Sequence, residues 1–222
     1  MNFSQIDEVI PQSGPLNFVL ADLGVSSMQI DNPDRGFSFK TDGPLDLRLN
    51  PLKGESAAER LKSISREELQ GMLIENSDEP YADKIANAIT FAIKKGRDIS
   101  TTTALQQVIS DTLQFLPEKT RNEDIKKSCQ RCFQALGIDV NNEFEVLGEF
   151  LEKLPTVLAP GGRVAILSFH SGEDRLVKKT FKNFYKQGLY REISTDFIRP
   201  SAKECNDNSR ARCAKLRWAI KQ

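Results

Sequence analysis

Apolar residues gather into two short runs that stand out from an otherwise mixed chain. Leu16 to Ala21, bounded by Gly14-Pro15 and by Gly24, predicts a fully buried strand. Arg163 to Phe169, which follows the helix-breaking Pro160-Gly161-Gly162, predicts a second one. The stretch from residue 50 to 145 has helical periodicity instead. Ser65-Arg66-Glu67-Glu68 forms a capping box ahead of Leu69, Met72 and Leu73. Tyr81, Ile85, Ile89 and Ile93 share one face of the next helix, which stops at Gly96. Thr101 or Thr102 caps another helix that carries Leu105, Val108, Ile109, Leu113 and Leu116 and ends before Pro117. Such stripes are ordinary core faces. Further helices are expected over 2–10, with Phe3, Ile6, Val9 and Ile10 inward, over 139–158 and over about 174–185. Tyr190–Ile198 and Ala214–Ile220 read as closing strands. A helical block between two buried strands describes an α/β domain, residues 1–49 and 146–222, with a helical insert over 50–145.

Composition changes this picture little, except at the C-terminal end. The chain has 222 residues, 39% hydrophobic and 28% charged, which suits one core or one domain with an insert. It has no run of 18 apolar residues, so no transmembrane helix is expected, and its acidic start does not read as a signal peptide. Net charge is zero, but residues 175–222 hold 13 Lys/Arg against 4 Asp/Glu. That +9 end is balanced by −9 over 1–174, and it reads either as a phosphate-binding surface or as a solvated polar face. Cys129 and Cys132 form a CxxC. Cys205 and Cys213 are separated by seven residues and do not supply the second tight pair of a zinc site, so no metal site is expected.

Candidate chemistry collects at the strand ends. Ligands of open α/β sheets bind just outside the carboxyl ends of parallel strands, where Asp22 stands. The carboxylate there can accept hydrogen bonds from an amine or a ribose, although Asp-x-Gly also serves simply to turn the chain. The loop that follows mixes Gly, Pro, aromatics and charges through Asp34-Arg35-Gly36-Phe37-Ser38-Phe39 and Asp42 to Arg48. Long irregular segments of this kind are usually functional, and rings beside arginines suit a splayed nucleobase and its phosphate. His170, the only histidine, ends the second strand, where a structural role is the commoner one.

Several of these stretches resemble a known family. DLGVSSMQID, DRGFSF and DGPLDLR, with FQAL, VNNE, LAPGGRVAILSFHS, EDR and RARCAKLR, resemble the MraW/RsmH family of S-adenosylmethionine-dependent rRNA cytosine-N4 methyltransferases. The resemblance implies a Rossmann-like class I methyltransferase sheet with an inserted helical domain that helps bind substrate RNA. It implies S-adenosylmethionine as cofactor, with Phe3, Asp22 and Gln29 at cofactor-contacting positions and Asp22 as the catalytic carboxylate. Asp46 and Arg48 are expected behind the site or on RNA. Arg35, Arg48, Arg131, Arg210, Arg212 and Lys215, with Arg217 beside them, are expected to meet RNA. The partner implied is small-subunit ribosomal RNA or the ribosomal subunit, in bacterial cytoplasm by default, or in an organelle if a transit segment belongs to the protein. The chain departs from the family pattern at Pro80, Thr102, Gly137, Gly172 and Ser209. The family's Gly-Gly-His cofactor loop and its ribose-binding acid are not found in these residues, so an incomplete cofactor site and self-association through an unpaired sheet edge are expected. A relative that binds RNA or ribosome without catalysis is the alternative.

Overall fold

Residues 2–222 are described in a computed structural model. The chain opens with a 3-10 helix, Phe3–Val9, bent at Gln5, and a single α-turn α1, Ile10–Ser13. The regular amphipathic helix expected over 2–10 is therefore broken in two. Strand β1, Leu16–Asp22, follows. After it come α2 (Ser27–Asp31), α3 (Ala57–Ser63), α4 (Arg66–Ser77), α5 (Ala82–Lys94), α6 (Thr102–Thr112) and α7 (Glu118–Asn141). The chain continues through α8 (Glu143–Val157), β2 (Leu158–Ser168), α9 (Ser171–Lys186), β3 (Tyr190–Ile193), α10 (Ala202–Asp207) and β4 (Lys215–Lys221).

These elements form two compact units, one of residues 1–24 with 144–222 and one of residues 25–143. In the first, the sheet order is β1-β2-β4-β3. The two apolar runs pair in parallel, Val19 opposite Val164 and Asp22 opposite Leu167, as their composition predicts. Strand β4 runs antiparallel to both β2 and β3. The Pro160-Gly161-Gly162 break sits inside β2 as a bulge, because the register jumps from Leu16 opposite Leu158 to Phe18 opposite Arg163. Only glycine fits at 162, where a Cβ would come within 2.8 Å of the Leu16 carbonyl oxygen. The resulting α/β sheet is Rossmann-like, of the class expected from the sequence.

One face of this sheet is covered. Val19, Val164, Ile166 and Ala219 form a core with Leu147, Phe150, Leu151 and Leu154 of α8 and with Val177 and Phe181 of α9. The opposite face is open, which corrects the expectation of a fully buried β1. Phe18 and Leu20 are 59% and 57% exposed, and β1 is an edge strand. Their cross-strand neighbours Ala165, Leu167, Leu216 and Trp218 are only half-buried. Parallel strands normally have both faces covered, so composition signals burial that the described residues do not supply.

The second unit packs α3 to α7 around Leu61, Leu69, Leu73, Ile85, Ile89, Leu105, Ile109 and Leu136. Residues 25–49, grouped with the sheet in the sequence reading, belong to this unit because Leu45 and Leu47 are buried in the same core. Pro44 bridges to Thr101, and Asn141 both donates to the Leu47 carbonyl and accepts from Leu49 N–H. The cap at Ser65 is half a box: its hydroxyl accepts from Glu68 N–H, while the Glu68 carboxylate is turned to Arg60. The helix expected over 139–158 divides at Asn142, whose left-handed backbone (φ 49°) ends α7. Strand β3 stops at Ile193, and the chain meets β4 again only where Ile198 bridges Leu216. Among the described residues, no helix is long and apolar enough to cross a membrane.

Candidate active site

Asp22 ends β1 at the carboxyl edge of the sheet. Leu23 carries the register one residue further by donating to the Leu167 carbonyl, and Gly24 (φ 85°) then turns the chain away. The Asp22 side chain is exposed. It stands on the rim of a cavity of about 380 Å³ whose wall includes Phe3, Ile6, Val9, Val19, Ala21 and Phe150. The Phe3 ring meets Phe150 edge-to-face at 5.2 Å and is 44% exposed, so part of it faces open space. The structure thus brings together two of the three positions read as cofactor-contacting: one carboxylate and one aromatic wall. The third, Gln29, lies on α2 in the helical unit. Its amide oxygen accepts from Ser26 N–H while Ser26 caps Gln29 N–H, so the side chain closes a capping box.

The only histidine finishes β2 at the same end of the sheet. His170 caps α9, its Nδ1 accepting from Glu173 N–H. Accepting at Nδ1 puts the ring proton on Nε2. Burial, then the charge of Lys215, lowers the imidazole to about 4, so the ring is neutral near pH 7. The 3.5 Å approach of Nε2 to Glu173 is therefore not an ion pair at that pH. The Glu173 carboxylate accepts from Phe169 and His170 N–H, and burial holds its carboxyl above the usual range. Among described residues Nε2 has no hydrogen-bond partner.

The arginines read as RNA contacts differ sharply from one another. Arg35 donates to the Arg48 and Leu49 carbonyls. Arg48 holds Asp46 through both carboxylate oxygens and reaches the Gly54 carbonyl. The hydrogen bond from Arg48 keeps the Asp46 carboxyl below the ordinary range. Both guanidinium groups thus tie the 33–54 loop to itself, a loop in which Leu47 takes a left-handed backbone (φ 63°). Arg131, on α7, lies 3.8 Å from the buried carboxylate of Glu79. Its neighbours Cys129 and Cys132 are buried in the helical core, and desolvation pushes the Cys129 thiol up to about 12. Arg210 and Arg212 sit in a 3-10 helix, Ser209–Cys213, where Arg212 is exposed. Lys215 opens β4, 3.9 Å from Asp174. The expectation for Arg217 is overturned: its side chain is 3% exposed and pairs with Asp174 of α9. Sequence reading also passed over Phe197 and Arg199. The Phe197 ring lies 4.7 Å from the Arg199 guanidinium, 5.3 Å from the Lys215 ammonium and 5.5 Å from the Arg217 guanidinium.

The MraW methylase family model matches residues 1–222. The chain belongs to the MraW methylase family. It is 72% identical over 221 residues to Ribosomal RNA small subunit methyltransferase H 2 of Alkaliphilus metalliredigens, covering 100% of this chain and 63% of that protein. It is 69% identical to Ribosomal RNA small subunit methyltransferase H 1 of Lachnoclostridium phytofermentans, with 60% of that protein covered. A Prochlorococcus marinus Ribosomal RNA small subunit methyltransferase H is 42% identical over 216 residues, 97% of this chain and 69% of the relative. The chain thus spans about three fifths of the length of the first two of these relatives.

Proposed function

We propose that this chain takes part in methyl transfer from S-adenosylmethionine to the exocyclic N4 of a cytosine in small-subunit ribosomal RNA. The observation that carries the reading is Asp22: an exposed carboxylate at the carboxyl end of β1, on the rim of a cavity walled by Phe3. S-adenosylmethionine supplies a methyl group on a positively charged sulfur. Its fit rests on the cavity: Phe3 and the apolar wall suit a flat heterocycle, and Asp22 suits a hydroxyl or an amine. A cytosine amine is a poor nucleophile because its lone pair is drawn into the ring. Asp22 would accept the amine's hydrogens, orient the nitrogen and receive its departing proton.

Arg210, Arg212 and Lys215 are the cations best placed for RNA phosphates. Arg35, Arg48 and Arg131 would serve RNA chiefly by shaping the loop and helices that carry them. The helical unit is read as part of the RNA-binding surface, Gln29 as a support for the loop after Asp22, and bacterial cytoplasm as the compartment. The names of the relatives support ribosomal RNA as the substrate class. The test is nucleoside analysis. This chain, exchanged for the matching 221 residues of the Alkaliphilus relative, is supplied with S-adenosylmethionine and unmodified small subunits. N4-methylcytidine is the expected product. A different methylated nucleoside, or none when the intact relative succeeds, would refute the proposal.

A further inference from the structure

We propose that Arg199 and Lys215, gathered on the Phe197 ring, form a binding site for an RNA backbone phosphate beside the acceptor end of the sheet. The inference rests on the proposed function and adds Arg199 and an aromatic platform to it, beside the Lys215 already read as a phosphate contact. Asp174 holds Arg217 at 2.7 and 3.3 Å, which fixes and neutralises that guanidinium. Arg217 in turn backs the Phe197 ring. The main chain beside the ring is anchored, because Ile198 and Leu216 exchange two backbone hydrogen bonds of 2.9 and 3.0 Å. Arg199 and Lys215 therefore meet on a platform that the fold has already positioned.

The charge count then asks for an anion. Three cations share one ring, and among the described residues the carboxylate within salt-bridge range of Lys215 and Arg217 is that of Asp174. Asp174 is committed to Arg217 and stands 3.9 Å from Lys215. Among the described residues no carboxylate lies within that range of Arg199, which is exposed. Two positive charges thus remain in excess where mutual repulsion opposes them, and one bound phosphate would relieve it. A guanidinium already stacked on a ring gives up little freedom on pairing with phosphate oxygens, and its planar fork matches them.

Placement favours a nucleic-acid phosphate near the target base. Lys215 pairs with Ser168 at the end of β2, and Asp22 pairs with the adjacent Leu167. Two strand spacings, roughly 10 Å, separate β1 from β4. Strand alternation sends Asp22 and Lys215 to opposite faces of the sheet, so an RNA that presents a base to Asp22 would reach Arg199 and Lys215 with the phosphate of a neighbouring nucleotide, around the carboxyl ends of β1 and β2.

The test measures binding of a short single-stranded RNA to the 222-residue chain by fluorescence anisotropy across a salt series. Arg199→Gln and Lys215→Gln should each flatten the slope of log affinity against log salt by about 0.7, and the double variant by about 1.4. Lys182→Gln, at an exposed position on α9, should leave the slope unchanged. Equal melting temperatures would show that the fold is retained. A double variant that keeps the wild-type affinity and slope would overturn the site while leaving the proposed function standing. In parallel, the Arg199 side-chain N–H resonance is followed on adding inorganic phosphate. A shift in a chain that binds no RNA would overturn both the RNA assignment and the proposed function.

Discussion

Asp174 and Arg217 form a bidentate pair between α9 and β4, with side chains only 12% and 3% exposed. Removing one member strands the other without water. Asp174→Asn or Arg217→Met should therefore cost about 3–5 kcal/mol, whereas the apolar double change Asp174→Leu with Arg217→Met should cost far less. Chemical denaturation of the three variants checks this. Equal losses in single and double variants would show that the pair is not coupled.

His170 makes stability depend on pH. Its folded-state value is lowered from the ordinary 6.5 to about 4, first by burial and then by Lys215. Between those values the unfolded chain binds the proton and the folded chain does not. The contribution is thus fully present above pH 6.5 and is lost as pH falls towards 4, on the order of 3 kcal/mol in all. Glu173, raised by burial, works in the opposite sense, so the comparison is best made with His170→Asn. Denaturant midpoints of the wild type should fall more steeply over that window than those of the variant.

The open sheet face should govern solution behaviour. Phe18 and Leu20 project from an unpaired edge strand, and such edges pair with other chains. The 222-residue chain is expected to self-associate, and Phe18→Lys with Leu20→Glu to shift it towards monomer in sedimentation velocity. A monodisperse wild-type monomer would contradict this.

The cavity beside Asp22 offers Phe3 and an apolar wall, and among the described residues that line it Asp22 is the charged one. Calorimetric titration of the 222-residue chain with S-adenosylmethionine should accordingly show no saturable micromolar binding. One-to-one micromolar binding would mean that this wall is a sufficient site.

Much of this architecture is legible in the sequence because it is local. Two apolar runs ending in polar loops announce β1 and β2, and their parallel pairing follows. Helical stripes announce α4 to α6. What cannot be read is decided by distant neighbours. Phe18 and Leu20 look as buried as Val19, since composition does not say which face another element covers. Arg212 and Arg217 look alike, and only Asp174, 43 residues away from Arg217, makes one a core residue while the other faces solvent. Gln29 looks like a ligand side chain until its bond to Ser26 is seen. Phe197 and Arg199 carry no motif, and their importance appears only when β4 brings Lys215 and Arg217 to the same ring.

The most direct test of the account is the methyl-transfer rate of Asp22→Asn, measured in the chain exchanged into the Alkaliphilus relative. The exposed side chain contributes little to packing, so the melting temperature should stay within a degree or so of the parent, given how little surface substitutions usually change stability. With no carboxylate to orient the amine and take its proton, single-turnover methylation of small-subunit RNA should fall by about 100-fold or more. RNA affinity should be unchanged. A variant that folds, binds RNA and methylates at the parent rate would contradict the role assigned to Asp22.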